Sequence, residues 1–321
     1  MKNKFMTLLL SSVGLLGITL SLTACNNNAS NDKTNTFDAT KNITTYTRDK
    51  SSGTRDGFFT AIGLKEAVEG NGPLKGNVVE AANNDDMITK VKNDEYGIGY
   101  ISLASYDSKV LTGLVYEGVT PSEENVINGT YKLTRNFNYI VRTECKNDKE
   151  KQIVEAFRAF LNTTDAKTTI QGEDGIVEIK EDDKSWDDIK ANYPICNEDN
   201  SNITIKIGGS TSCQAIAKAL SSEFSAKCGG FKVEHQHNGS SDAFKRTQGS
   251  EKDGVNALHI GFASREFKLN DSENAAEGSY SRMCVDAIVA VVNTKNPLKE
   301  VSKATLKSIY EGTYKTWADV K

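Results

Sequence analysis

The sequence predicts an α/β protein with largely parallel sheets, and three observations carry that expectation. Short runs rich in β-branched residues alternate with amphipathic helical patterns from residue 43 to the end. The chain has 321 residues, enough for two domains once an N-terminal leader is set aside. Three segments rich in hydroxyl groups and glycine run straight into helical patterns: Arg48-Asp49-Lys50-Ser51-Ser52-Gly53-Thr54, Gly208-Gly209-Ser210-Thr211-Ser212 and Asn238-Gly239-Ser240-Ser241.

The leader comes first. Lys2 and Lys4 precede a mostly apolar stretch, residues 8–22, that is short for a membrane span. It ends in Leu22-Thr23-Ala24-Cys25, which looks like a bacterial lipobox, with cleavage before Cys25 and a lipid on that cysteine. An ordinary secretory leader with Cys25 incidental is the alternative. Residues 1–24 are therefore read as a signal peptide, and residues 25–40, rich in Asn, Asp, Thr and Ser, as a flexible tether. Losing Lys2 and Lys4 takes the formal charge from −4 to −6. An acidic chain without a basic run argues against nucleic-acid binding.

Beyond the tether, residues 43–47 read as a strand leading into the first hydroxyl-rich segment, and residues 56–62 as the helix after it. Residues 85–91 are helical and residues 97–102 a buried strand. Residues 138–142 form a strand, and residues 150–161 a helix with Ile153, Val154, Phe157 and Phe160 on one face. A polar stretch, residues 181–201, has the composition of a linker. Then come a strand at 203–207, a helix at 212–227 stopped by Gly229 and Gly230, and strands at 231–235, 259–263 and 286–292. A last helix covers residues 303–310.

The three hydroxyl-rich segments carry the chemistry. A helix N-terminus offers unpaired N–H donors and a partial positive charge, and small residues let an anion reach the backbone. Capping and turn formation explain any one segment alone; three together point to a small oxyanion. His235, His237 and His259 lack a carboxylate or cysteine at metal-ligand spacing, so no metal or cofactor is expected. No nucleophile elbow or phosphate-binding P-loop occurs, and no enzymatic activity is expected. Cys145, Cys196, Cys213, Cys228 and Cys284 form no CxxC pair; export permits disulfides, while burial as small side chains is the simpler reading. Trp186 and Trp317 are expected to pack rather than stack on a ligand.

These segments resemble the phosphate-binding lipoproteins of bacterial ABC uptake systems, in the type II periplasmic-binding-protein group. Residues 203–212 are similar to the family's first strand and anion loop, residues 236–241 to its second loop and residues 260–266 to its third. Residues 309–320 resemble the element that precedes its mid-chain arginine loop, residues 46–56 that loop, and residues 97–101 the strand after it. The family's second half comes first here. The resemblance therefore implies a circularly permuted two-lobed fold, each lobe a mostly parallel sheet flanked by helices, with a hinge-closing cleft. The old termini would be joined through residues 181–201; a fusion of two fragments is the competing account. Residues 41–140 and 286–321 would build lobe two, and residues 141–285 a continuous lobe one. The chain would cross between lobes at 138–143 and 286–293.

The resemblance carries phosphate-binding roles onto Arg48, Ser52, Gly53, Thr54, Thr211, Ser212 and Ser240. At the third loop many relatives place an aspartate that accepts the ligand's proton; here the residue is Arg265, counted with the site, with Glu266, Asp242 or Asp56 as substitute acceptors. The function implied is capture of inorganic phosphate outside the cytoplasm and delivery to an ABC permease and its ATPase, from a lipid anchor at the cell membrane. A binder of sulfate or molybdate, or a surface lipoprotein for adhesion or signalling, are the alternatives.

Overall fold

The computed structural model describes residues 37–320, so the leader, Cys25 and most of the tether lie outside the described residues. Eleven strands are formed among them: β1 (Thr44–Arg48), β2 (Asn77–Ala81), β3 (Gly97–Ser102), β4 (Thr112–Gly113), β5 (Val115–Tyr116), β6 (Thr134–Val141), β7 (Thr204–Gly209), β8 (Lys232–His237), β9 (Ile260–Ala263), β10 (Tyr280–Val292) and β11 (Glu300–Val301). The helices are α1 (Gly53–Ile62), α2 (Asn84–Lys92), α3 (Glu123–Ile127), α4 (Asp148–Phe160), α5 (Thr164–Gly172), α6 (Trp186–Ile189), α7 (Gln214–Lys227), α8 (Ser241–Thr247) and α9 (Lys303–Tyr310).

Local chemistry fixes most helix starts. The side chains of Asn83, Ser122, Asn147, Thr163, Ser185 and Ser302 each accept a backbone N–H in the first turn of α2, α3, α4, α5, α6 and α9. The Asn147 cap is why α4 begins at Asp148, two residues before its apolar face calls for a helix. α7 starts later than its sequence pattern because a 3₁₀ turn, Thr211–Cys213, precedes it.

The strands join in the order β2-β1-β3-β10-β6-β9-β7-β8. β1 runs parallel to β2 and β3, and β7 parallel to β8 and β9. Between these two parallel sets lie antiparallel β6 and β10. The 13-residue β10 serves both. Its first part pairs with β6 as far as Ala287, and from Ile288 onward it pairs with β3.

Each parallel set has its own core. Phe137, Phe157, Phe160, Trp186, Ile207, Leu220 and Phe224 belong to one apolar cluster, drawn from residues 137–284. Phe58, Phe59, Ile98, Tyr100, Ile288, Leu306, Tyr310 and Trp317 belong to another, which adds Ile176 to residues from the two ends of the described chain. Phe58 and Tyr100 stack at 4.1 Å, and the Tyr310 hydroxyl donates to Tyr46 O at 3.0 Å, so α9 at the C-terminal end is fastened to β1 at the N-terminal end.

The polar stretch at residues 181–201 is not the loose linker its composition describes. It holds α6 and two 3₁₀ turns, and it buries Trp186 and Ile195 in the first core. Trp186 presents its edge to Phe160 and Phe224, and its indole stacks on Tyr193 at 5.6 Å. A few aromatic anchors spaced along a polar run suffice to dock it. Cys196 and Cys228 form a disulfide that ties the end of this stretch to the C-terminus of α7. Cys213 and Cys284 are buried free thiols, and Cys145 is a partly exposed one.

Closing a loop over a sequence separation of 32 residues removes unfolded-state entropy worth about 3–4 kcal/mol. Cys196→Ser is therefore expected to lower the denaturant midpoint by that free energy, while a reductant leaves the variant's midpoint unmoved. Equal midpoints for wild type and variant in oxidising buffer would show the disulfide to be idle.

Candidate anion-binding site

The site gathers where parallel strands end. β1 finishes at Arg48, and the turn after it is set by Asp49, whose carboxylate accepts from Ser51 N at 2.7 Å. Ser52 then caps α1. β7 finishes at Gly209, and Ser210 Oγ accepts from Ser212 N at 3.1 Å to open the turn into α7. β8 leads through Asn238 and Gly239 to Ser240, ahead of α8. Two glycines are required by close approach. Gly209 has φ +107°, and a Cβ there would overlap Phe262 O; a Cβ on Gly53 would overlap the hydroxyls of Ser240 and Ser264.

Hydroxyl groups from both parallel sets meet directly. Thr54 Oγ1 lies 3.1 Å from Ser212 Oγ, and within the β7 set Ser240 Oγ lies 3.1 Å from Ser264 Oγ. Arg48 Nη2 donates to Thr211 Oγ1 at 3.2 Å. Arg135 donates from Nη2 to Ser212 Oγ at 3.1 Å and from Nη1 to Ser264 Oγ at 3.3 Å. A groove of about 330 Å³ opens beside Thr211 and Ser212, with Asn84, Ser105, Lys218 and His237 on its walls.

Donor and acceptor accounting gives this network a polarity. Ser212 Oγ accepts from Arg135 Nη2 and from Asn84 Nδ2, so its own hydrogen goes to Thr54 Oγ1. The Thr54 hydrogen is left over. Ser264 Oγ accepts from Arg135 Nη1 and from Ser210 Oγ, so its hydrogen goes to Ser240 Oγ, which also accepts from Ser264 N. The Ser240 hydrogen is left over too. Ser52 Oγ and Thr211 Oγ1 act only as acceptors, from Arg55 N and Arg48 Nη2. Four hydroxyl hydrogens, on Ser52, Thr54, Thr211 and Ser240, thus remain without an acceptor in the network. Such an arrangement suits a ligand that accepts hydrogen bonds, as an anion does.

The charges agree. Arg48 is 1% exposed, and its hydrogen bonds go to neutral oxygens: Ala81 O, Ala82 O, Asn84 Oδ1 and Thr211 Oγ1. It makes no ion pair among the described residues. Burial lowers its pKa, the opposing field of Tyr100 notwithstanding. A guanidinium desolvated in this way is stabilised by any anion that joins it.

Of the sequence-predicted residues, Arg48, Ser52, Gly53, Thr54, Thr211, Ser212 and Ser240 come together. Arg265 does not. Its guanidinium makes a bidentate pair with Glu273 at 2.7 and 2.8 Å, with Asp56 at 3.8 Å from Nε. A buried carboxylate holds it beside the network, where it also donates to Glu266 O at 2.8 Å and to Ser241 Oγ at 3.4 Å. The substitute acceptors are also engaged: Glu266 with Asn136 and Asn138, Asp242 with Arg246 and Asn238, Asp56 with Arg265. Sequence reasoning missed Asn84, Arg135, Ser210, Ser264 and Asp286. The signal for Asp286 was there, since an ionisable residue opens the otherwise apolar run 287–292.

Comparison with known proteins bears on the fold. Residues 169–321 match the model of the PBP superfamily domain. A solved phosphate-binding protein of a phosphate ABC transporter from Streptococcus pneumoniae TIGR4 superposes with a TM-score of 0.62, covering 87% of this chain and all of that one at 23% identity. The fold is that of the PBP superfamily. Two curated relatives match along their whole length: phosphate-binding protein PstS 2 of Streptococcus agalactiae, serotype V, is 27% identical over 100% of this chain and 99% of its own. Phosphate-binding protein PstS 2 of Streptococcus pneumoniae, serotype 4, is 24% identical over 98% of each chain.

In this PBP fold the turn at Ser210 hangs on a chain of two imidazoles. His237 Nδ1 lies 3.0 Å from Ser210 O, His237 Nε2 lies 3.2 Å from His235 Nδ1, and His235 Nε2 lies 3.1 Å from Ser221 Oγ. A carbonyl only accepts, so His237 carries its proton on Nδ1 and receives one from His235 Nδ1. Burial, with the nearby charges of Lys218 and Arg246 adding to it, pushes His237 down to about 4. Between pH 6.5 and 4 the unfolded chain binds a proton that the folded chain refuses. Stability from this group is therefore full above pH 6.5 and falls by up to about 3 kcal/mol as the pH approaches 4. His237→Asn retains a donor for Ser210 O but does not titrate, and its melting temperature is expected to fall less steeply over that window. Parallel acid profiles for the two proteins would refute the assignment.

Proposed function

We propose that this chain is an extracytoplasmic solute-binding protein that holds inorganic phosphate between its two lobes and delivers it to an ABC permease. The observation that carries the reading is Arg48, a buried guanidinium without a carboxylate, which donates to Thr211 Oγ1 in a network where four hydroxyl hydrogens lack acceptors. Phosphate offers the matching partner: a tetrahedral anion whose oxygens accept from several directions at once. Arg48, Ser52, Gly53 and Thr54 contribute from one lobe, Thr211, Ser212 and Ser240 from the other, so the ligand favours the closed arrangement through contacts made only there. The printed names of the relatives, phosphate-binding proteins, support the same ligand, and that of the solved neighbour supports an ABC transporter as partner. The role is transport, and the proposal assigns the chain no catalytic step.

We read the order of segments as a circular permutation, with the old ends joined through residues 181–201. The end-to-end match with the Streptococcus agalactiae relative supports an order shared with relatives over a fusion peculiar to this chain. The lobes are proposed as residues 41–140 with 286–321, and residues 141–285. Membrane attachment would come from a lipid on Cys25, since no described helix is long and apolar enough to cross a membrane.

Titration calorimetry of the mature chain at micromolar concentration is expected to give 1:1 phosphate binding, and Arg48→Ala to weaken it at least ~100-fold, about 2.7 kcal/mol. No heat from wild type would sink the proposal. Cys25→Ser is expected to move the protein from the membrane pellet to the soluble fraction of expressing cells; retention in the pellet would rule out the lipid anchor.

A further inference from the structure

Arg265 stands outside the hydroxyl network, yet it is firmly held. Its Nη1 and Nη2 donate to the two oxygens of Glu273 at 2.7 and 2.8 Å, the parallel geometry in which a guanidinium and a carboxylate bind most strongly. Both side chains are 8% exposed. Glu273 does more than neutralise its partner. Its Oε2 also accepts from Lys268 N at 2.9 Å, so one buried carboxylate orients Arg265 and the backbone at Lys268 together. Both residues follow β9, in the β7 set.

What these two cations face belongs to the β1 set. Arg265 Nε lies 3.8 Å from Asp56 Oδ2, in the first turn of α1. Lys268 Nζ lies 2.8 Å from Glu69 Oε1, a few residues beyond the end of α1. Two cations from one set thus meet two carboxylates from the other. Their place matters as much as the pairing. Arg265 comes directly after Ser264, and Asp56 two residues after Thr54. Gly53 lies so near Ser240 and Ser264 that a Cβ would overlap both hydroxyls. The ion pairs therefore flank a close approach of the two sets while adding no group to the network.

A contact between lobes that needs no ligand changes what the ligand must do. Were closure to rest on the anion alone, part of its binding free energy would go into bringing the lobes together. Ion pairs that already favour the closed arrangement raise the fraction competent to hold the anion, and apparent affinity rises by the same factor. We propose that Arg265 is a positioning residue: oriented by Glu273, it forms with Lys268 a clasp on Asp56 and Glu69 that holds the lobes closed and slows release of the ligand. The assignment rests on the phosphate reading and its two lobes, and it gives Arg265 a role that requires no contact with the anion. Charge gives the clasp a signature. Asp56 and Glu69 are negative, so by their field alone they repel an anion, and removing them would tighten binding. A clasp requires the opposite sign.

The test is the double variant Asp56→Asn with Glu69→Gln, which leaves Arg265 and Glu273 paired in the interior. The substituted side chains are partly exposed, at 25% and 70%, so the fold tolerates both changes. Titration calorimetry on the full mature chain is expected to show phosphate held at least ~5-fold more weakly than by wild type, with the change appearing in the dissociation rate by stopped flow. Without ligand, the variant is expected to have the larger radius of gyration by X-ray scattering. Glu69→Lys alone is expected to weaken binding, and Lys268→Glu added to it to restore the affinity, which a general loss of stability would not do. Phosphate affinity in the double variant equal to or tighter than in wild type overturns the proposal. An unchanged ligand-free radius, or a reversed pair that recovers no affinity, overturns it as well. Wild type that binds no phosphate refutes the phosphate reading instead, and the ligand-free comparison still decides the clasp.

Discussion

The antiparallel pairing of β6 with β10 is the constraint on which the rest of the molecule depends. These two strands lie between two parallel sets, each with its own core, and β10 passes from one to the other without a break. Where it changes partner, the ladder faces an ion pair, Arg135 against Asp286, rather than two apolar side chains. Both side chains are buried, so the charges here are held only by each other and by donors from neighbouring strands and loops. Arg135 meets that need by reaching Ser212 and Ser264 from one set while Asp286 takes Ser102 from the other. The ion pair therefore fastens the hydroxyl-rich loops to the strand pair between the two parallel sets.

The loops are pre-organised by the same economy of hydrogen bonds. Ser210 illustrates it: its hydroxyl opens the turn before α7 and donates to Ser264, while its carbonyl is held by His237. Gly53 lets the start of α1 approach Ser240 and Ser264 more closely than any side chain would allow. Each group is placed by something other than a ligand. The donors are consequently ordered without a ligand, and under the proposed function little ordering cost would fall on binding.

Much of the architecture was legible in the residue order. The strand at 97–102, the helix at 303–310 and the glycine stop after α7 follow from periodicity and local stereochemistry, and the structure forms them there. The hydroxyl-rich starts were legible for a similar reason. A Ser or Thr before a helix is a local signal, and seven of the eight candidate residues do converge. The stretch at 181–201 was misleading because polar composition hides three sparse anchors, Trp186, Tyr193 and Ile195. Arg265 was misleading because sequence places it next to the network, whereas Glu273, eight residues on, decides where its charge rests.

Sequence alone determined the alternation of strand and helix, the loops that can meet an anion, and the acidic charge that sets nucleic acid aside. Those properties depend on neighbours within a few residues, and a chain carries that information openly. Tertiary structure alone decided which hydroxyls keep a free hydrogen, which buried arginines go without a carboxylate, and which carboxylate, that of Asp286, keeps a bare oxygen. Arg135 and Asp286 are 151 residues apart, and Arg48 and Thr211 are 163 apart. Hydrogen-bond polarity belongs to the whole network, because each hydroxyl can donate only once, and that is settled only when the distant strands have paired.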